Sequence, residues 1–309
     1  MLFLPAYFKG ELETAYKYLE TRFGKTTRSF ASIVFLVTRL AADGVRLFAT
    51  SIPLYLMLQI NPFAAIVWVG LISLIYTYTG GIKAVIWVDA LQMFIYIGGA
   101  ITAGIFLFNL LPEGWDSVLK SAATDSKASF INTGFSLSFS EFLNQPYTLF
   151  AGIIGGTFLS MASHGTDQLI VQRLLATKNL KKAKKAVIGS EIIIVFQFAF
   201  FLILGILLYA YYGSLDIRSD EIFPKFIIEV LPAGISGIII AGLLAAAMST
   251  LAGSMSSLLS SAMMDIFIPF FGKNISENNK LIISRILTIV FAVLLILFAL
   301  FFIKSLGRE

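Results

Sequence analysis

The stretch Gly242-Leu-Leu-Ala-Ala-Ala-Met-Ser-Thr-Leu-Ala-Gly-Ser-Met-Ser-Ser257 lies inside an uncharged run from Gly234 to Met264. A run of this length reads as a membrane helix, because a bilayer core of about 30 Å takes about 20 apolar residues. Within it Ala246, Ser249, Thr250, Gly253, Ser256, Ser257 and Ser260 recur at spacings of three and four. Residues so spaced share one helix face. That face is small and rich in hydroxyls, and two readings of it are open. Small residues let helices approach closely in lipid, each hydroxyl bonding a carbonyl one turn back. Alternatively, hydroxyl and carbonyl oxygens make a hard ligand set, suited to a desolvated sodium ion and not to a transition metal.

Six further apolar runs flank it, at about 31–58, 63–80, 88–111, 147–169, 187–211 and 281–303. The chain therefore reads as an all-α membrane protein with about seven transmembrane helices. Residues 1–30 form a cytoplasmic segment with a surface helix, 31–303 the transmembrane bundle, and 304–309 an extracytoplasmic end. Both ends read as cuts through a larger membrane protein. Composition agrees, with 58% hydrophobic and 13% charged residues, against roughly 45–50% and about 25% in a soluble domain. Continuous runs exclude a β-barrel, whose strands alternate in polarity. Soluble enzymes and nucleic-acid binders are excluded as well, despite the net charge of +5. There is no cysteine and one histidine, His164. A disulfide framework, a thiolate metal site and a cysteine nucleophile are thus ruled out, and a zinc site or a histidine relay would need other ligands.

Sidedness follows from lysine and arginine. An inside start places fifteen of them in the cytoplasm: Lys9, Lys17, Arg22, Lys25, Arg28, Lys83, Arg173, Lys178, Lys181, Lys182, Lys184, Lys185, Lys273, Lys280 and Arg285. Six fall on the opposite side: Lys120, Lys127, Arg218, Lys225, Lys304 and Arg308. The expectation is a multi-pass protein of the plasma (inner) membrane with its N-terminal end cytoplasmic.

Ionisable groups inside a bilayer are costly and mark candidate sites. In the first span Asp43 lies four residues after Arg39 and three before Arg46, so all three can share a face. They form either a structural ion cluster or the lining of a solute or ion path. Asp89 follows the polar Thr79-Gly80-Gly81, read as a turn, where the third span begins. It is either a charge favoured by the helix dipole or an ion relay at the inner mouth. His164 precedes Gly165-Thr-Asp-Gln168, a polar run where a helix can be interrupted. His164 is either a satisfied packing residue or part of a site, since broken helices of this kind form transporter binding sites at mid-membrane.

Four stretches, in order, resemble the sodium/solute symporter family, which includes the sodium/glucose and sodium/proline cotransporters. They are Tyr16-Lys-Tyr-Leu-Glu-Thr-Arg-Phe23, Gly80-Gly-Ile-Lys-Ala-Val-Ile-Trp-Val-Asp-Ala-Leu-Gln92, Gly165-Thr-Asp-Gln-Leu-Ile-Val-Gln-Arg-Leu-Leu-Ala-Thr-Lys-Asn179 and Leu244–Asp265. The resemblance implies part of a leucine-transporter-type bundle of ten core helices in two inverted repeats. The seven spans then correspond to core helices three to nine. It implies sodium as coupling ion, held by the Ala246 carbonyl and the Ser249 and Thr250 hydroxyls together with backbone oxygens of core helix one.

In some members a second sodium uses the aspartate matching Asp89 and two further hydroxyls. Those two positions here are Ala252 and Gly253, so one sodium is expected, and no other metal. Sugar-carrying members place an aromatic pair where this chain has Ser163 and His164, which weakens a glucose-type assignment. Ser163, His164, Asp167 and Gln168 are the substrate-path candidates. Asp43, Asp89, Arg39 and Arg46 are the ion-path or structural charges.

The expected function is sodium-coupled symport of a small organic solute (sugar, sugar acid, amino acid or carboxylate) by alternating access. The alternative is a transporter-like sensory membrane module of a signalling protein. No catalytic constellation is visible, so an enzyme is not expected. The expected partners are the solute and the lipid bilayer, without nucleic acid or an obligate protein partner.

Overall fold

The structure is a computed structural model and describes residues 3–9, 12–124, 131–136, 138–177, 179–272 and 275–305, apart from the side chains of 76, 80–84, 121, 122, 124, 139 and 305. Lys127, Lys178, Lys273, Arg308 and most of the expected end at 304–309 lie outside the described residues. The described chain is helical, with no strand among those residues. In order the helices are α1 Leu4–Lys9, α2 Lys17–Phe23, α3 Lys25–Leu58, α4 Pro62–Leu110, α5 Trp115–Thr124, α6 Phe139–Asn144, α7 Leu149–Thr166, α8 Gln168–Leu175, α9 Leu180–Tyr212, α10 Ser219–Glu229, α11 Ala233–Ser261, α12 Ile268–Phe271 and α13 Glu277–Ser305. A π-helical turn, Ala262–Phe267, joins α11 to α12.

Five segments of the described residues are long and apolar enough to cross a membrane: Pro62–Thr79, Val85–Leu110, Leu180–Tyr212, Ala233–Phe271 and Glu277–Lys304. Two further expected spans fall on α3 and α7. Helix α3 carries Arg39, Asp43 and Arg46 near its middle, and α7 ends in Ser163, His164 and Thr166. Outward-facing Trp87, Phe94, Phe196, Leu202 and Phe301 are exposed, as lipid-facing side chains are. Where a turn is expected at Thr79-Gly80-Gly81, α4 instead runs on without a break. Glycine weakens a helix by about 1 kcal/mol but still supplies its N–H, unlike proline, so it need not interrupt one.

The chain forms two compact units. One comprises Leu12–Phe106 and Asp216–Glu309. Its core includes Leu47, Leu54, Ile66, Val69, Phe226, Met255, Leu258 and Leu295, all essentially without solvent contact. Helix α3 lies along α13 and α11. At Gly44 a Cβ would stand 2.5 Å from the Phe298 Cβ, so only glycine permits this approach of α3 to α13. Helices α4 and α11 also meet at glycine: a Cβ on Gly242 would stand 3.1 Å from the Tyr96 Cα, and one on Gly99 3.6 Å from the Ile239 Cα.

The other unit comprises Met1–Glu11 and Leu107–Leu215. Here Leu4, Leu174 and Ala183 form a buried cluster, with Phe8, Ile170, Leu180 and Val187 packed around it. The helix interruption falls at Asp167, between α7 and α8. The Asp167 carboxylate accepts the Leu169 N–H at 2.9 Å and so caps α8, a role for which a short carboxylate is well suited.

Candidate functional site: oxygens along α11

Helix α11 separates the two readings of its hydroxyl stripe. Thr250 Oγ1 donates to the Ala246 carbonyl at 3.2 Å, Ser254 Oγ to the Thr250 carbonyl at 3.0 Å, and Ser257 Oγ to the Ser254 carbonyl at 2.9 Å. These are the back-bonds expected of packed membrane helices. Ser249 behaves differently. Its hydroxyl reaches across to α4 and donates to Asp89 Oδ1 at 2.5 Å. The Ala246 carbonyl, Ser249 Oγ and Thr250 Oγ1 thus sit on one face, half-buried, beside a carboxylate. A neutral oxygen set next to one negative charge fits a monovalent hard cation, and the three residues present fit sodium. Among the described residues no group of three histidine, cysteine, aspartate or glutamate side chains could hold a metal ion.

One turn further along α11, the single Ser254 hydroxyl hydrogen is shared between the Thr250 carbonyl and Asp43 of α3. Asp43 is fully buried. It accepts Arg39 Nε at 2.5 Å and an Arg46 Nη at 2.8 Å. The i+4 and i+3 spacings therefore bring all three charges together, and Ser254 ties them to α11. The Arg39 side chain is 12% exposed and that of Arg46 is 49% exposed.

Below this, the π-helical turn holds Asp265, buried completely. Its carboxylate accepts Thr14 Oγ1 at 2.5 Å, Arg28 Nε at 2.7 Å and Ser261 Oγ at 3.1 Å. Arg28 also donates to the Met264 carbonyl at 2.6 Å and to Glu20 at 2.6 Å. A bond from Lys17 holds the Glu20 carboxyl below the usual carboxylate range; partial burial opposes this, and Arg28 adds to it. The cluster fastens Thr14 and the first turn of α3 to the end of α11. Sequence reasoning treated Arg28 only as a sidedness charge and Asp265 only as the end of a motif. The motif's closing Met264-Asp265 was the available signal.

The second unit holds the other candidates. His164 Nε2 lies 3.1 Å from Glu191 Oε1 of α9, and its Nδ1 is 3.0 Å from Ser163 Oγ. The Tyr7 hydroxyl donates to the Gly165 carbonyl at 2.6 Å. A cavity of about 380 Å³ opens here, lined by Tyr7, Thr157, Ser160, His164, Gly165 and Glu191 among others. His164 thus stands in its wall with Ser163 bonded to its ring, whereas Asp167 caps α8 and Gln168 is fully buried. Glu191 was missed because it lies on another helix, at no telling distance in sequence.

The model of the sodium:solute symporter family matches residues 1–306. A sodium/sialic acid symporter of Proteus mirabilis is 28% identical over 98% of this chain and 61% of its own length. Sodium-coupled monocarboxylate transporter 2 of Mus musculus is 27% identical over 95% of this chain and 48% of its own. The chain therefore spans between about half and two-thirds of the length of these relatives, which are transporters and not enzymes. A solved structure of a Na+-coupled sialic acid symporter, in a substrate-bound outward-open state, matches with a TM-score of 0.89 at 28% identity, covering 98% of this chain and 64% of that one. With a family model matched along nearly its whole length, this integral membrane chain belongs to the sodium:solute symporter family.

Proposed function

We propose that this chain is the sodium-binding portion of a symporter that couples sodium entry to uptake of a small organic anion by alternating access. One sodium moves per cycle, and the N-terminal end lies in the cytoplasm at the plasma (inner) membrane. The observation that carries the reading is Ser249, turned away from its own helix to Asp89 while Ala246 and Thr250 offer oxygens on the same face. Sodium held there joins α11 to whatever completes the shell. It drives transport only if it binds one conformation more tightly than the other. Ala252 and Gly253 carry no oxygen in their side chains, which supports one ion and not two.

The anionic character of the solute rests on two things. The named relatives act on sialic acid and on monocarboxylates, all of them carboxylates. The α3 cluster sets two arginines against one aspartate, with Arg46 half-exposed. Arginine is the side chain best matched to a carboxylate.

The test is uptake by the whole protein in proteoliposomes, with Ser249→Ala and His164→Ala compared. Ser249→Ala should raise the sodium concentration for half-maximal uptake by about tenfold or more, as loss of a ligand does. His164→Ala should impair solute uptake more than sodium binding. Uptake independent of sodium would sink the proposal.

A further inference from the structure

Helices α4 and α11 run antiparallel in a readable register. Asp89 meets Ser249, Tyr96 meets Gly242, and Gly99 meets Ile239. Seven residues forward along α4 match seven back along α11, and the next three match three. Gln92 stands three residues after Asp89, and Ala246 three before Ser249. Gln92 is therefore on the α11-facing side of α4, at the level of Ala246.

Gln92 is buried, 7% exposed, and its Oε1 finds no hydrogen-bond donor. A buried acceptor left unmade is costly, and each one in a folded protein asks for a cause. Its neighbours in the register are the oxygens already assigned to sodium. An amide carbonyl is a hard, neutral oxygen donor of the kind such an ion takes.

We infer that Gln92 Oε1 is a further ligand of the coupling sodium, acting with the Ala246 carbonyl and the Ser249 and Thr250 hydroxyls. The inference rests on the symport reading above. It explains both the unpaired oxygen and its position one turn from Asp89. It makes α4, and not α11 alone, a wall of the ion site.

The test measures sodium binding directly, without transport. The purified whole protein is titrated with sodium chloride by calorimetry, and its melting temperature is followed with and without sodium. Gln92→Leu keeps the shape and removes the oxygen, whereas Gln92→Glu keeps an oxygen at the same place. In sodium-free buffer Gln92→Leu should melt no lower than wild type, since an apolar group replaces an unpaired polar one. Its sodium Kd should rise by about tenfold or more, and most of the sodium-induced rise in melting temperature should vanish. Gln92→Glu should retain both.

Wild-type sodium affinity in Gln92→Leu overturns the inference. So does a lower melting point in sodium-free buffer with the sodium response intact, which would make Gln92 a structural residue. A wild-type protein that binds no sodium overturns the symport reading, and the inference with it.

Discussion

Arg39 and Arg46 answer the same carboxylate but keep different amounts of themselves in reserve. Arg39 is nearly enclosed, and Arg46 gives one N–H to Asp43 with about half of its side chain exposed. Removing Arg39 would take the more enclosed of two cations from the fully buried Asp43, and removing Asp43 would take the carboxylate that both arginines share; breaking such a buried pair is destabilising. Arg46 can be changed more safely, so it tests the proposed contact with the solute's charge. Arg46→Gln should raise the KM for a carboxylate solute about tenfold or more, with sodium affinity unchanged. Arg46→Lys should recover only part, because an ammonium lacks the planar fork of the guanidinium. An unaltered KM would mean that the carboxylate is met elsewhere.

The grouping of Arg39, Asp43 and Arg46 was legible in sequence because helical spacing alone joins them. Ser254, Glu191 and Gln92 were not legible in these roles. Each finds its partner or its level on a different helix, and for Gln92 that level depends on the register that Gly99 and Gly242 set between α4 and α11.

At the scale of the element, the same contacts carry the packing. A Cβ at Gly44 would meet the Phe298 Cβ at 2.5 Å, the Phe298 carbonyl carbon at 3.4 Å and the Ala299 nitrogen at 3.5 Å. Two of these atoms are backbone, so relief requires α3 and α13 to separate. At Gly70 a Cβ would meet Ile296 Cδ1 and Cγ1, each at 2.6 Å, and that side chain can turn aside. Alanine gains roughly 0.5–1 kcal/mol over glycine inside a helix, while overpacking costs about 1–3 kcal/mol. Gly44→Ala should therefore lower the melting temperature more than Gly70→Ala, where the rotamer of Ile296 and no backbone must shift. Equal melting points for the two would show that the α3–α13 contact yields easily.

Helix existence was readable from apolar runs, and the serine and threonine face of α11 from its periodicity. The π-helical turn was not readable. It is held by Asp265 bonding Thr14, Arg28 and Ser261, and Thr14 and Arg28 come from the far end of the sequence. Likewise the paired glycines at 80–81 suggest a turn, yet their local weakness does not break α4.

At the scale of the whole molecule, ion count and solute charge together set the electrical character of transport. Ala252 and Gly253, at the positions where the family resemblance places second-ion hydroxyls, carry no side-chain oxygen, and the proposed count is one sodium. Gln92, in the inference drawn here, serves the same ion as Ser249 and adds no second one. On the proposed reading, an anionic solute pairs with the half-exposed Arg46 beside Asp43. One sodium moving with one monocarboxylate carries no net charge across the bilayer. A membrane potential of 100 mV then does no work on the cycle, whereas each uncompensated charge would gain about 2.3 kcal/mol. Uptake of a monocarboxylate into proteoliposomes should therefore follow the sodium gradient alone. A potassium diffusion potential, imposed with an ionophore, should leave its accumulation unchanged, and paired isotope fluxes should give one sodium per solute. Accumulation that rises with inside-negative potential, with a flux ratio of two, would place a second sodium in the protein despite the missing hydroxyls.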